Sequence, residues 1–375
     1  MVSRRNLMAA GVCTLAGPLL KNRPYSLLAA ELPSYSGRTI STRAIDIVRA
    51  SVVVDMLGLL TLDYRKLCDW QAHPESFPES EFARLKASGV TILHPAVGFV
   101  TGDVYESSWN DVARWNRFLA AHAEKFIQVL GPADLLRAKQ TGKIGVVLGL
   151  QNSGHFRTCD DVDRFYELGQ RVSQLTYHNN PLGGGSTGPS TGPASGLTAF
   201  GAEVIQRMNG LGMAVDVSHC SDRTTLDAIE ASTKPVLVTH SNCRVLVPGS
   251  ARCKPDEIIR RIAQQGGVFG VTMVRPFVRS SGATTLEHVL DHIDHIARLV
   301  GVEHAGLGTD VDMDGRDRTL PLRADLDGMR YSQKIFELAE GLIHRGYSDT
   351  DIALILGGNS QRVLGTIWDV ASKAR

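Results

Sequence analysis

The sequence predicts an α/β fold, a (β/α)8 barrel of the TIM type, and three observations point to it. Short β-branched runs alternate with longer amphipathic segments, the pattern of repeated βα units. There are eight such runs. Most of them end on polar side chains, which are costly inside a barrel but expected where the carboxyl ends of parallel strands open on one face. At 375 residues and 43% apolar composition, the chain is long enough for one such barrel with a sizeable core.

In order, the runs are "SVVVD" at 51–55, "GVTILHP" at 89–95, "IGVVLGLQ" at 144–151 and "RVSQLTY" at 171–177. They continue with "GMAVDVSH" at 212–219, "PVLVTH" at 235–240, "GGVFGVTMV" at 266–274 and "HAGLGTD" at 304–310. Helical patterns such as "AFGAEVIQRMNGL" and "PDEIIRRIAQQ" lie between them. The run ends are Asp55, His94, Gln151, Tyr177, His219, His240, Met273 and Asp310. A lone histidine on an apolar strand is usually a satisfied core residue. Two at the last positions of consecutive strands read as ligands.

Residues 1–30 are expected to be an export signal, with residues 31–375 forming the single barrel domain. Ser3-Arg4-Arg5-Asn6-Leu7-Met8 resembles the twin-arginine motif, and "LMAAGVCTLAGPLL" with Ala29-Ala30 follows. The plainer alternative is a basic start before an ordinary helix. Val12 is too bulky to precede a lipidated Cys13. A periplasmic or otherwise exported location is expected, without stable membrane insertion once the signal is removed, because no later apolar run would span a bilayer. A net charge of +1 gives no reason to expect nucleic acid or an anionic membrane surface as partner. The five cysteines beyond the signal form no CxxC pair, so a sulfur-ligated zinc ribbon is not expected, and their odd number leaves at least one outside any intrachain disulfide.

His219 and His240 offer two imidazoles from strands about 5 Å apart, within reach of one ion. Zinc takes imidazole nitrogen, and a catalytic site leaves it a position for water, which becomes a nucleophile near neutrality. Asp310 is placed to take and return the proton; its alternative reading is a turn or cap residue. "GTDVDMDG" passes for a calcium loop but lacks the glutamate at the twelfth position. His288, His292 and His295 in "HVLDHIDHI" have helical spacing, yet no HExxH glutamate accompanies them. An exposed helix is the better expectation there. Arg252 precedes a helix start at Pro255-Asp256 and is a candidate for a bidentate carboxylate contact, with a surface arginine as the alternative. The loop "NNPLGGGSTGPSTGPASG" at 179–196 is too rich in Gly, Ser, Thr and Pro for regular structure. It is either a flexible linker or a lid over the mouth.

Taken together, "LTY" at 175–177, "GLTAFGAEVIQRMNGLGMAVDVSH" at 196–219, "VTHSNCR" at 238–244, "RCKPDE" at 252–257, "GGVFGV" at 266–271 and "GLGTDVD" at 306–312 resemble the membrane (renal-type) dipeptidase family. This family consists of amidohydrolase-like zinc barrels. The resemblance implies that His219 and His240 hold the second of two zinc ions, that Asp310 handles the proton, and that Arg252 holds a substrate carboxylate. It also implies dipeptide-like substrates and a homodimer.

The chain departs from the family pattern at the first metal. The family's Asp-x-His-x-Asp stands here as Asp55-Met56-Leu57-Gly58-Leu59, its bridging glutamate falls at Gln151, and a carbonyl-polarising histidine falls at Tyr177, with His178 beside it. Leucine cannot coordinate, and a neutral glutamine cannot balance two cations. The expectation is one divalent ion, zinc as the family resemblance implies, on His219 and His240 with Gln151 or Asp310 and water. Around it would work a hydrolase of small amides or dipeptide-like molecules, Tyr177 donating to the oxyanion. The alternatives are an inactive ligand-binding barrel, or a lyase, isomerase or decarboxylase at the same pocket.

Overall fold

The computed structural model describes residues 39–97, 102–186, 196–316 and 324–369. The twin-arginine-like start and the centre of the 179–196 loop lie outside these residues. Every expected run contains a strand. The strands are β1 (Val54–Asp55), β2 (Ile92–Leu93), β3 (Ala96–Val97), β4 (Phe126–Gln128), β5 (Ile144–Val146), β6 (Gly149–Leu150), β7 (Val172–Gln174), β8 (Ala214–Asp216), β9 (Val238–Ser241), β10 (Phe269–Val271) and β11 (Ala305–Leu307).

All pairings between these strands are parallel. One sheet runs β4-β5-β2-β1-β11-β10-β9 and the other β3-β6-β7-β8. Two links join the sheets: β5 and β6 lie on the continuous segment 144–150, and a parallel bridge from Asp216 to Leu237 ties β8 to the approach to β9. Because β11 pairs with β1, Asp55 opposite Leu307, the last strand returns to the first, as a TIM-type barrel requires. The edge strand β4 and the short β3 were not expected. "FIQ" is too short to stand out, and β3 begins only after His94-Pro95 interrupts its run.

The runs read as continuously apolar because helices cover their outer face and side chains fill their inner face. Helix Ala199–Leu211 starts where Thr198 Oγ1 accepts from Gly201 N, and it stops at Gly212, whose φ of 81° delivers the chain into β8. Helix Asp256–Gln264 begins after Pro255, as expected, and buries Ile258, Ile259 and Ile262. Helix Leu286–Val300 corrects an expectation. It is not an exposed helix: Leu286, Val289, Leu290, His292, Ile293 and Ile296 are all buried, an i, i+3, i+4, i+7 stripe on the barrel. Two close approaches inside the barrel require glycine. A Cβ on Gly308 would stand 1.7 Å from the carbonyl oxygen of Thr239, and one on Gly149 would stand 2.2 Å from His94 Nε2. No helix among the described residues is long and apolar enough to cross a membrane.

Candidate active site

The site starts from Asp216, buried at the end of β8. Its Oδ1 accepts from Ser218 N (3.0 Å), Ser218 Oγ (2.5 Å) and Thr239 N (3.0 Å), and its Oδ2 accepts from Thr239 Oγ1 (2.6 Å). Ser218 Oγ in turn accepts from His240 N at 3.0 Å. One carboxylate therefore fastens the outgoing ends of β8 and β9 together. This brings His219 Nε2 to 2.9 Å from His240 Nε2.

The same network sets a tautomer. Thr239 has one hydroxyl proton and gives it to Asp216, so His240 Nδ1, 2.8 Å from Thr239 Oγ1, must be the donor of that pair. The Nε2 of His240 is then the acceptor of the pair, its lone pair facing His219 Nε2. Burial, followed by the nearby Arg252 guanidinium, holds both imidazoles well below the usual histidine range, and hence neutral. Tyr177 stacks on His219 with ring centroids 4.0 Å apart, and burial raises its phenol so that it stays protonated.

Arg252 is only 4% exposed, which overturns the surface-arginine alternative. Its Nη1 donates to Ser218 O at 2.8 Å and its Nη2 to His240 O at 2.6 Å, while its Nε–H has no hydrogen-bond partner. Asp310 is the single non-glycine residue with positive φ (59°) among the described residues. Its N–H donates to Leu57 O at 2.7 Å, and Arg316 Nη1 donates both to its carbonyl oxygen and, at 2.7 Å, to Oδ1. Burial raises the Asp310 carboxyl, and the Arg316 and Arg252 guanidiniums pull it back down. Tyr177 and Tyr64 also feel the Asp310 charge. The ends of the strands carrying Tyr177, His219, His240 and Asp310 thus surround one space.

The remaining run ends are Asp55, His94, Met273 and Gln151. Asp55 is fully buried and accepts from Thr309 N (2.8 Å) and Thr309 Oγ1 (2.5 Å). His94 is buried as well, with Nδ1 2.5 Å from Met56 O, its ring against Gly149 and its Nε2 without a partner. Met273 is buried. Gln151 is half-buried, and its backbone oxygen accepts from the Gln174 side chain. The helical histidines are accounted for separately. His292 Nδ1 accepts from Cys243 N and its Nε2 faces Val278 O, His288 caps its own helix with Thr285, and His295 pairs with Asp256. All five described cysteines are free thiols. The near half of the 179–196 loop is pinned to the site: Gly185 bridges to Cys220, and Ser186 N donates to His219 O at 2.6 Å.

His219 and His240 supply two of the donors that an ion held here would need. Two neutral Nε2 atoms converge, but ligands of a tetrahedral zinc stand roughly 3.3 Å apart, so the rings would part by a few tenths of an ångström. Leu57 and Leu59 are buried hydrocarbon where the family pattern places a histidine and a carboxylate. Among the described residues no group of three or more His, Cys, Asp or Glu is disposed to hold a metal. Sequence reasoning missed Asp216, Arg316 and Tyr64. Asp216 was signalled weakly, because a carboxylate inside the apolar "AVDVS" run needs partners. Arg316 and Tyr64 had no signal.

The family model described as "Membrane dipeptidase (Peptidase family M19)" matches residues 42–375. The "Uncharacterized protein in pqqA 5'region" of Klebsiella pneumoniae is 31% identical over 281 residues, 72% of this chain and 99% of that protein. "Dipeptidase tcpJ" of Claviceps purpurea is 28% identical over 262 residues, 69% of this chain but 59% of that protein's length. A crystal structure of an amidohydrolase from Pseudomonas aeruginosa superposes with a TM-score of 0.75 at 26% identity, covering 87% of this chain and 99% of that one. A barrel with paired strand-end histidines, a buried arginine beside them and an aspartate just after its last strand, matched along nearly its whole length, belongs to the membrane dipeptidase family, peptidase family M19.

Proposed function

We propose that the chain is a hydrolase of small amides or dipeptide-like molecules that carry a carboxylate. The observation that supports this most is the convergence of His219 and His240 Nε2 at 2.9 Å, with Tyr177 stacked on His219 and within the field of the Asp310 carboxylate. His219 and His240 would hold one divalent ion, zinc by family habit, which supplies Lewis acidity and an ionisable water when bound. Arg252 would take the substrate carboxylate on its Nε–H and its remaining Nη protons, since two of its donors already fix it to the strand ends. Asp310, steadied by Arg316, would accept the proton released at the attacking oxygen and return it to the departing amine. Tyr177, protonated and stacked on His219, would donate to the oxygen of the scissile carbonyl as its charge grows.

Export by the twin-arginine route, supported by residues 3–30, and a homodimer, supported by the family resemblance, belong to the same reading. The test is a panel of dipeptides and N-acyl amino acids with wild-type, His219→Ala and Asp310→Asn protein. Turnover that both substitutions abolish is expected. Turnover that survives either of them, or no turnover on any panel member, sinks the reading.

A further inference from the structure

We infer that Lys334 and Asp55 form a buried positioning pair whose task is to hold Asp310 in its left-handed conformation at the mouth. The observation is a closed set of bonds around one short turn. Lys334 is fully buried, and its Nζ donates to Thr309 Oγ1 at 2.9 Å and to Val311 O at 2.9 Å, with Asp55 Oδ2 at 3.4 Å. Asp55 in turn accepts both the N–H and the hydroxyl of Thr309. The residues before and after Asp310 are therefore both held by one ammonium, and the residue before it also by the carboxylate. Asp310 N closes the set on Leu57 O.

This arrangement is more than packing requires. A non-glycine residue at φ 59° is disfavoured unless its surroundings over-determine it. Burying an ammonium and a carboxylate for stability alone is a poor return, since apolar residues of similar size generally serve as well. The pair instead fixes the direction in which the Asp310 carboxyl points, the polar contacts of Lys334 Nζ being with the turn and with Asp55. Lys334 is thus a positioning residue. Neither it nor Asp55 reaches the space among Tyr177, His219 and His240 through any of these bonds.

The inference rests on Asp310 as the proton carrier, but its test includes an arm independent of turnover. Crystal structures of Lys334→Met and Thr309→Val are compared with wild type. The second variant cuts only the hydroxyl shared by Lys334 and Asp55, and it carries the test alone if the first does not fold. Asp310 is expected to leave the left-handed region or lose its contact with Arg316. Asp310 unmoved in a folded variant overturns the inference whatever the activity. On a panel substrate that wild type turns over, kcat should fall roughly 10- to 100-fold with KM within about threefold, as misplacing a reacting group does. An unchanged kcat with KM raised more than about threefold contradicts a positioning role.

Discussion

Asp216→Asn tests the network that builds the site. In the wild-type protein four hydrogen bonds end on the Asp216 carboxylate, two from hydroxyls and two from backbone amides. A bond to a charged acceptor contributes about 1.5–3 kcal/mol and one to a neutral acceptor about 0.5–1.5 kcal/mol, so neutralising the group weakens four bonds by about 1 kcal/mol each. Relief from burying a charge offsets part of this. A net loss of about 2–4 kcal/mol is expected, read as a lower urea midpoint with an unchanged slope. A second effect is chemical. With Oδ1 retained for Ser218 and the Thr239 amide, the new NH2 points at Thr239 Oγ1, which must turn its proton toward His240 Nδ1. His240 then carries its own proton on Nε2 and loses the lone pair that faces His219. Zinc affinity, measured by calorimetric titration, should fall about 10- to 100-fold, as it does when the partner that orients a ligating histidine is removed. An unaltered midpoint together with unaltered zinc binding refutes both the network and the tautomer derived from it.

Acid should destabilise the fold through two histidines remote from the mouth. Burial holds His155 and His292 down to about 4, so between the ordinary histidine value of about 6.5 and pH 4 the unfolded chain binds protons that the folded one does not. Stability falls as pH drops through that window, by about 3 kcal/mol per histidine at its lower end. His292→Gln should lose one histidine's share of the slope in urea midpoints taken from pH 7 to pH 4.5, and an unchanged slope contradicts this. Arg252→Lys replaces a fork that serves two strand carbonyls and a substrate by a single ammonium. On a panel substrate kcat/KM should drop about 10- to 100-fold for carboxylate-bearing molecules, with a much smaller change for their amides. Equal losses on both would show that Arg252 does not hold the carboxylate.

The barrel was legible because its strands repeat one pattern: most β-branched runs end on a polar residue, and runs this short and apolar need helices on their outer face. The pair His219 and His240 was legible for the same reason, since both stand last on neighbouring strands. Asp55 and His94 stand last on their runs too, yet they are buried supports, because a run end in the sequence need not lie past the last ladder bond in space. His94 sits beside Gly149, and Asp55 sits under Thr309. Arg316 comes from the loop after the eighth run and Lys334 from a helix 24 residues after Asp310 (334 − 310 = 24), and no local spacing connects either to the site. The helix at 286–300 was misjudged as exposed because its three histidines draw attention from the leucine and isoleucine stripe between them.

The most direct measurement is anomalous scattering at the zinc edge from crystals of the purified chain grown with zinc, paired with a metal count in solution. One peak between His219 and His240 Nε2, at about one ion per chain and lost in His240→Ala, is the expected result. Two peaks, or one peak away from those nitrogens, would contradict a single-ion centre built on this pair.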